Sequence, residues 1–198
     1  MRGLRRRTAG LPAAAALVGL LTAAAPPGPP APAVRAAGAP APAEVRCAGG
    51  VAGLSLQPGL SVVGDRQQSW SGSGLSTGCR TTTPGAQIFS VTAGFQGSGK
   101  GSCIPAFGIP NGAMHGTLTW DGIGLPDAQS YFVGTVKLTW TGVVFSGLIT
   151  QGAFTGGQVH ATASWDVSGN IATAVTGCLA GGYTNITGTW DTLAVSAP

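Results

Sequence analysis

Runs of strand length, in which apolar residues are interleaved with Thr, Ser and Gly, follow one another along the second half of the chain. They are Ala86–Ala93 (AQIFSVTA), Gly116–Trp120 (GTLTW), Tyr131–Trp140 (YFVGTVKLTW), Val143–Thr150 (VVFSGLIT), Val159–Trp165 (VHATASW), Ile171–Val175 and Ile186–Val195. Gly and β-branched residues oppose long helices, and no helical period of useful length interrupts the series. Thr155-Gly156-Gly157 and Asp166-Val167-Ser168-Gly169-Asn170 read as hairpin turns. Spacers this short favour antiparallel neighbours over parallel crossovers. The pattern predicts one all-β domain, a single antiparallel β-sandwich or flattened barrel of about eight or nine strands.

The first part of the chain follows a different pattern. Arg2, Arg5, Arg6 and Arg7 precede an unbroken apolar stretch, Leu11–Ala25, and small residues follow at Val34-Arg35-Ala36 and Ala37-Gly38-Ala39. A basic segment, a short apolar segment and a small-residue cut site make a secretion signal, and fifteen apolar residues are short for a membrane span. Residues 1–36 are therefore read as a signal peptide, 37–43 as a Pro/Ala-rich linker and 44–198 as the secreted domain. No second apolar run of membrane length follows, so the expected product is extracellular, with no membrane span after signal removal.

This division changes the meaning of the charge. The chain of 198 residues carries ten Lys+Arg and six Asp+Glu, a net of +4. Five of the bases (Arg2, Arg5, Arg6, Arg7 and Arg35) lie in the leader region. From Glu44 onward five bases face six acids, a net of −1. Those five (Arg46, Arg66, Arg80, Lys100 and Lys137) are scattered, whereas nucleic-acid binding needs a clustered basic face. No nucleic-acid partner is expected.

Four cysteines, Cys47, Cys79, Cys103 and Cys178, lie behind the signal. An even number in a secreted domain implies two disulfides, with three possible pairings. Cys47–Cys79 with Cys103–Cys178 is favoured, because the first closes a local loop and the second ties the middle of the domain to its end. No C-x-x-C occurs, so neither a zinc site nor a redox pair is indicated, and no metal or cofactor is expected.

Candidate chemistry is sparse. Gly74-Leu75-Ser76-Thr77-Gly78 fits the G-x-S-x-G of a nucleophile elbow, but Cys79 follows at once and no helix is predicted behind it. Gly94–Gly101 (GFQGSGKG) fits a phosphate loop up to its Lys, but Gly101 stands where a Ser or Thr must bind magnesium. It reads as a flexible hairpin loop with a solvated Lys100. Asn185-Ile186-Thr187 fits a glycan acceptor, a match that a Thr-rich strand gives by chance. His115 and His160 are the only histidines, and both fall in strand-like runs. A hydrolase would need one of them beside a carboxylate and a Ser in a cleft. Asp121 and Asp127 bracket a loop, where Asp serves as a local turn acceptor.

The most suggestive feature is a repeated frame around tryptophan. It occurs as Thr119-Trp120-Asp121-Gly122, Thr139-Trp140-Thr141-Gly142, Ser164-Trp165-Asp166 and Thr189-Trp190-Asp191, with Ser69-Trp70-Ser71-Gly72 as an earlier variant. The spacing is about one hairpin. It would place Trp120, Trp140, Trp165 and Trp190 at equivalent strand ends, either as a ligand-stacking row at one mouth or as core plugs.

Cys47 with Gly59-Leu60-Ser61, Thr77-Gly78-Cys79, Gly99-Lys100-Gly101-Ser102-Cys103, and Val175-Thr176-Gly177-Cys178-Leu179 before Thr187-Gly188-Thr189 together give a pattern. It resembles a group of small secreted actinobacterial proteins, Gly/Thr-rich and four-cysteine, predicted to be β-structured. The resemblance implies an extracellular β fold and supplies no catalytic residues. The expected function is non-catalytic binding of a neutral ligand or partner at the cell exterior: wall polymer, glycan or small apolar molecule. A structural envelope protein and a secreted hydrolase are the alternatives.

Overall fold

A computed structural model describes residues 43–103, 107–165, 171–180, 182–196 and 198, all within one compact unit, Gly38–Pro198. The leader, the linker up to residue 42 and the predicted turn Asp166–Asn170 lie outside the described residues. In chain order the elements are β1 (Ala43–Cys47), β2 (Gly50–Leu60), β3 (Arg66–Ser76), β4 (Arg80–Thr81), β5 (Gln87–Gly101), β6 (Ile109–Ile123), β7 (Gln129–Leu138), β8 (Gly142–Gly152), β9 (Gln158–Trp165), α1 (Ile171–Leu179) and β10 (Tyr183–Ser196).

All ten strands belong to one antiparallel sheet, and β2, β3, β5, β6, β7, β8, β9 and β10 pair in that order until β10 returns to β2. The sheet is therefore closed, which makes it the barrel form of the expected fold. Two short strands extend long ones. Cys47 faces Leu193 and Val51 faces Thr189, so β1 and β2 run along β10 in one register. Arg46 faces Arg80 and Gly50 faces Ser76, so β4 continues β3 in the same way. The Cys47–Cys79 disulfide ties the two strands at this break, and Cys103–Cys178 ties the end of β5 to α1 at the other end of the barrel.

Side chains alternate in and out of the wall, and the inward set is mainly apolar, with Gln68, Ser76 and Ser130 as buried polar members. The inward rows alternate large and small across the strands. One runs Leu54–Gly72–Phe95–Gly116–Phe132, the next Leu56–Trp70–Gly97–Met114–Gly134–Gly147. Each ring lies over a neighbouring glycine. A Cβ on Gly97 would fall 2.7 Å from the Trp70 indole, and one on Gly116 2.9 Å from the Phe132 ring. Phe145 stacks on Phe132 at 5.7 Å and meets Trp190 edge-on at 5.7 Å. Between Trp70, Trp190, Met114 and Phe145 lies a cavity of about 10 Å³, the space of one water at most. The outward positions are mainly Ser, Thr and Gln, the reverse of a lipid-spanning barrel. No helix among the described residues is long and apolar enough to cross a membrane.

Two local expectations are corrected. Ile171–Val175 opens helix α1 instead of a strand. Its β-branched residues are outweighed by tertiary anchoring, because Ala174 and Cys178, at helical spacing, are both buried and Cys178 is bonded to Cys103. Gly94–Gly101 is not a hairpin loop but the second half of β5. Its inward glycines, Gly97 and Gly99, make room for Trp70, while Lys100 points to solvent.

Candidate binding surface

The tryptophan frames do not form a row. Trp120 and Trp190 are buried, as is Trp70. Trp120 lies near the last residues of β6. Trp140 follows β7 and Trp165 ends β9, which places both at the opposite end, beside Cys103. There Trp140 stacks on Phe107 at 4.0 Å and stays partly exposed, while half-buried Trp165 donates from Nε1 to the Thr139 carbonyl at 3.2 Å. Equivalent frames thus occupy different depths. Trp190 sits inside the wall and not at a strand end, because β10 is long and begins seven residues before it.

A different surface emerges from the register. On the outer face, Asn185, Ser55, Ser71, Gln96, His115 and Val133 stand directly opposite one another across β10, β2, β3, β5, β6 and β7. The adjoining row is Thr187, Gly53, Ser73, Gly94, Thr117 and Tyr131. Neither row contains a charged side chain. Three adjoining hollows of about 720, 600 and 390 Å³ follow these rows and share Ser71, forming a trough across six strands. At about 4.8 Å per strand spacing the trough covers roughly 24 Å of surface.

Its polar groups are partly pre-arranged. Ser55 Oγ donates to Asn185 Oδ1 at 2.9 Å, and Gln96 Nε2 lies 2.9 Å from His115 Nε2. Tyr131, 45% exposed, forms an aromatic wall at one end. The floor contains the two glycines that the fold does not need. Among the described strand glycines only Gly53 and Gly94 could take a Cβ at ordinary contact distance: the nearest atoms are the Ser73 carbonyl oxygen at 4.0 Å and Thr117 Oγ1 at 3.5 Å. Neither has a positive φ. Glycine inside a strand costs about 0.5–1 kcal/mol relative to alanine, and it often marks close approach of a ligand.

The candidate catalytic groups are placed apart from such an arrangement. His115 meets Gln96, and His160 Nδ1 lies 2.9 Å from Ser146 Oγ on the exposed outer wall. Among the described residues neither histidine hydrogen-bonds a carboxylate. Ser76, the centre of the G-x-S-x-G match, is 1% exposed and donates to the Gly49 carbonyl. Asp121 accepts from Ser90 Oγ, and Asp127 caps the backbone N–H of Gln129. No protein-family model, curated protein or solved structure matches the chain. The trough escaped sequence reading because Ser, Gly and Gln in strands carry no motif; only cross-strand register assembles them.

Proposed function

We propose that the protein is a secreted, non-catalytic binding module that holds a neutral glycan or wall polymer in the outer trough. The observation that carries this reading is the uncharged trough floored by Gly53 and Gly94, where the wall gives up side chains without any packing or backbone reason. Hydroxyl and amide groups suit a polyhydroxylated chain, and an aromatic wall suits the face of a sugar ring. Small apolar molecules are disfavoured as ligands of the cavity between Trp70 and Trp190, which has space for one water at most. The alternative of a layer-forming protein joined through strand edges gains no support from a wall in which the long strands pair on both sides.

The reading is tested by titrating soluble neutral oligosaccharides into the wild-type protein and into Gly53→Gln and Gly94→Gln variants. At either position the added Cβ comes no closer than 3.5 Å to a neighbouring atom. Binding by the wild type that both variants lose is the expected result. Binding unchanged in both variants would move the ligand away from the trough and overturn the reading.

A further inference from the structure

The polar belt changes character at one point. Gln96 and His115 are hydrogen-bonded, and His115 stands opposite Val133, which in turn stands opposite Leu148. Val133 is 49% exposed and Leu148 42%, with Tyr131 in the next row. A hydrogen-bonding pair thus borders directly on an aliphatic pair.

The chemistry of the polar pair is defined whichever way the proton lies. If Gln96 Nε2 donates to His115 Nε2, the groups left over are the His115 Nδ1–H donor and the Gln96 Oε1 acceptor. If the amide is turned and His115 donates to it, the groups left over are a Gln96 N–H donor and the His115 Nδ1 acceptor. Either arrangement of the neutral pair leaves at least one donor and at least one acceptor free for a ligand. A secondary amide uses one of each, since its carbonyl accepts and its N–H donates. A plain hydroxyl could use such a pair but would leave the neighbouring Val133 and Leu148 methyl groups facing water.

We propose that the trough selects glycans bearing acetamido groups, with the amide of the ligand held by Gln96 and His115 and its methyl group against Val133 and Leu148. This rests on the reading of the trough as a glycan site and adds the substituent that the site discriminates.

The test compares two probes of equal length and linkage by calorimetry: chito-oligosaccharide, built from N-acetylglucosamine, and cello-oligosaccharide, built from glucose. The expected result is at least about tenfold tighter binding of the chito-oligosaccharide. The single variants Gln96→Leu and Val133→Ser, both at exposed positions, should bring the two affinities together by weakening the acetylated probe only. Equal affinity of the wild type for both probes would overturn the acetamido proposal while leaving the glycan reading in place. Binding of neither probe would overturn both. Preference for the acetylated probe that survives both substitutions would place the selecting groups elsewhere and overturn the assignment.

Discussion

Trp120 donates from Nε1 to Ser130 Oγ at 2.9 Å, and Ser130 in turn donates to the Ala153 carbonyl, so one buried hydroxyl joins β6, β7 and the turn after β8. Ser130 is fully buried, and Phe154, beside Ala153, meets the Trp120 ring edge-on at 5.1 Å. Changing Ser130 to Ala leaves an indole N–H and a carbonyl unpaired away from water. Each such orphan costs about 1–3 kcal/mol. The two together predict a loss of about 2 kcal/mol or more in urea unfolding of Ser130→Ala, and Ser130→Thr, which keeps the hydroxyl, should lose less. An unchanged midpoint would show that this end of the barrel is wetter than its packing implies.

The inward and outward glycines of the wall should respond in opposite ways to the same change. Gly72→Ala and Gly97→Ala press a methyl group into the Phe95 and Trp70 rings, and overpacking of this kind typically costs about 1–3 kcal/mol. Gly53→Ala and Gly94→Ala place a methyl group at ordinary contact distance, 4.0 and 3.5 Å from its nearest neighbours, so alanine should hold or raise the melting temperature. Thermal unfolding of the four variants tests the split directly. Equal destabilisation of all four would remove the argument that Gly53 and Gly94 are kept for binding.

How legible this fold was depended on where each strand keeps its bulk. β6, β7, β8 and β9 carry Leu, Val, Ile and Phe on their inward face, and their apolar runs announce them. β3 and the second half of β5 (RQQSWSGSGLS and GFQGSGKG) are poor in such residues. Several of their inward positions, Gly72, Gly74, Gly97 and Gly99, are glycines whose space is filled by rings from other strands, so Gly97 makes sense only once Trp70 stands opposite it. Helix α1 was hidden for a similar reason: nine residues rich in Ile, Thr and Val have weak helical preference, and the bond to Cys103 holds them from outside. The disulfide pairing followed from spacing alone. The trough did not, since its residues come from six strands and share only register.

Gln68 points into the barrel, is 1% exposed, and finds no hydrogen-bond partner among the described residues for either end of its amide. Replacing it with Met keeps most of the volume and removes the polar atoms. A buried unpaired amide costs about 1–3 kcal/mol, so Gln68→Met should stabilise the protein by about 1 kcal/mol or more. Chemical denaturation measures this. A loss of stability would mean that the amide is satisfied by internal water.

The five tryptophans should also separate by accessibility. Trp70, Trp120 and Trp190 are each at most 4% exposed, whereas Trp140 is 37% exposed. Acrylamide should quench a minor, red-shifted part of the emission, and Trp140→Phe should remove that part while leaving the blue component. If oligosaccharides bind in the trough, which lies on the wall away from Trp140, their addition should leave acrylamide access to Trp140 unchanged. Protection of Trp140 by ligand would instead mark the Phe107–Trp140 end as a contact.

The two disulfides should fail differently. Cys47 ends β1 and Cys79 lies between β3 and β4, and these strands are already held in register on both sides of the break, so the barrel retains its pairing there when the bond is removed. Cys103–Cys178 closes a separation of 75 residues and holds α1, a helix too short to persist alone. Chain entropy assigns a loop of that length about 4 kcal/mol. Hydrogen exchange on Cys103→Ser/Cys178→Ser should show α1 exchanging freely and the overall stability lowered by that order, with β6, β7 and β8 still protected under native conditions. Cys47→Ser/Cys79→Ser should retain protection in α1. If α1 stayed protected without its bond, its packing on β10 would be the stronger anchor, and the disulfide would act mainly on the unfolded chain.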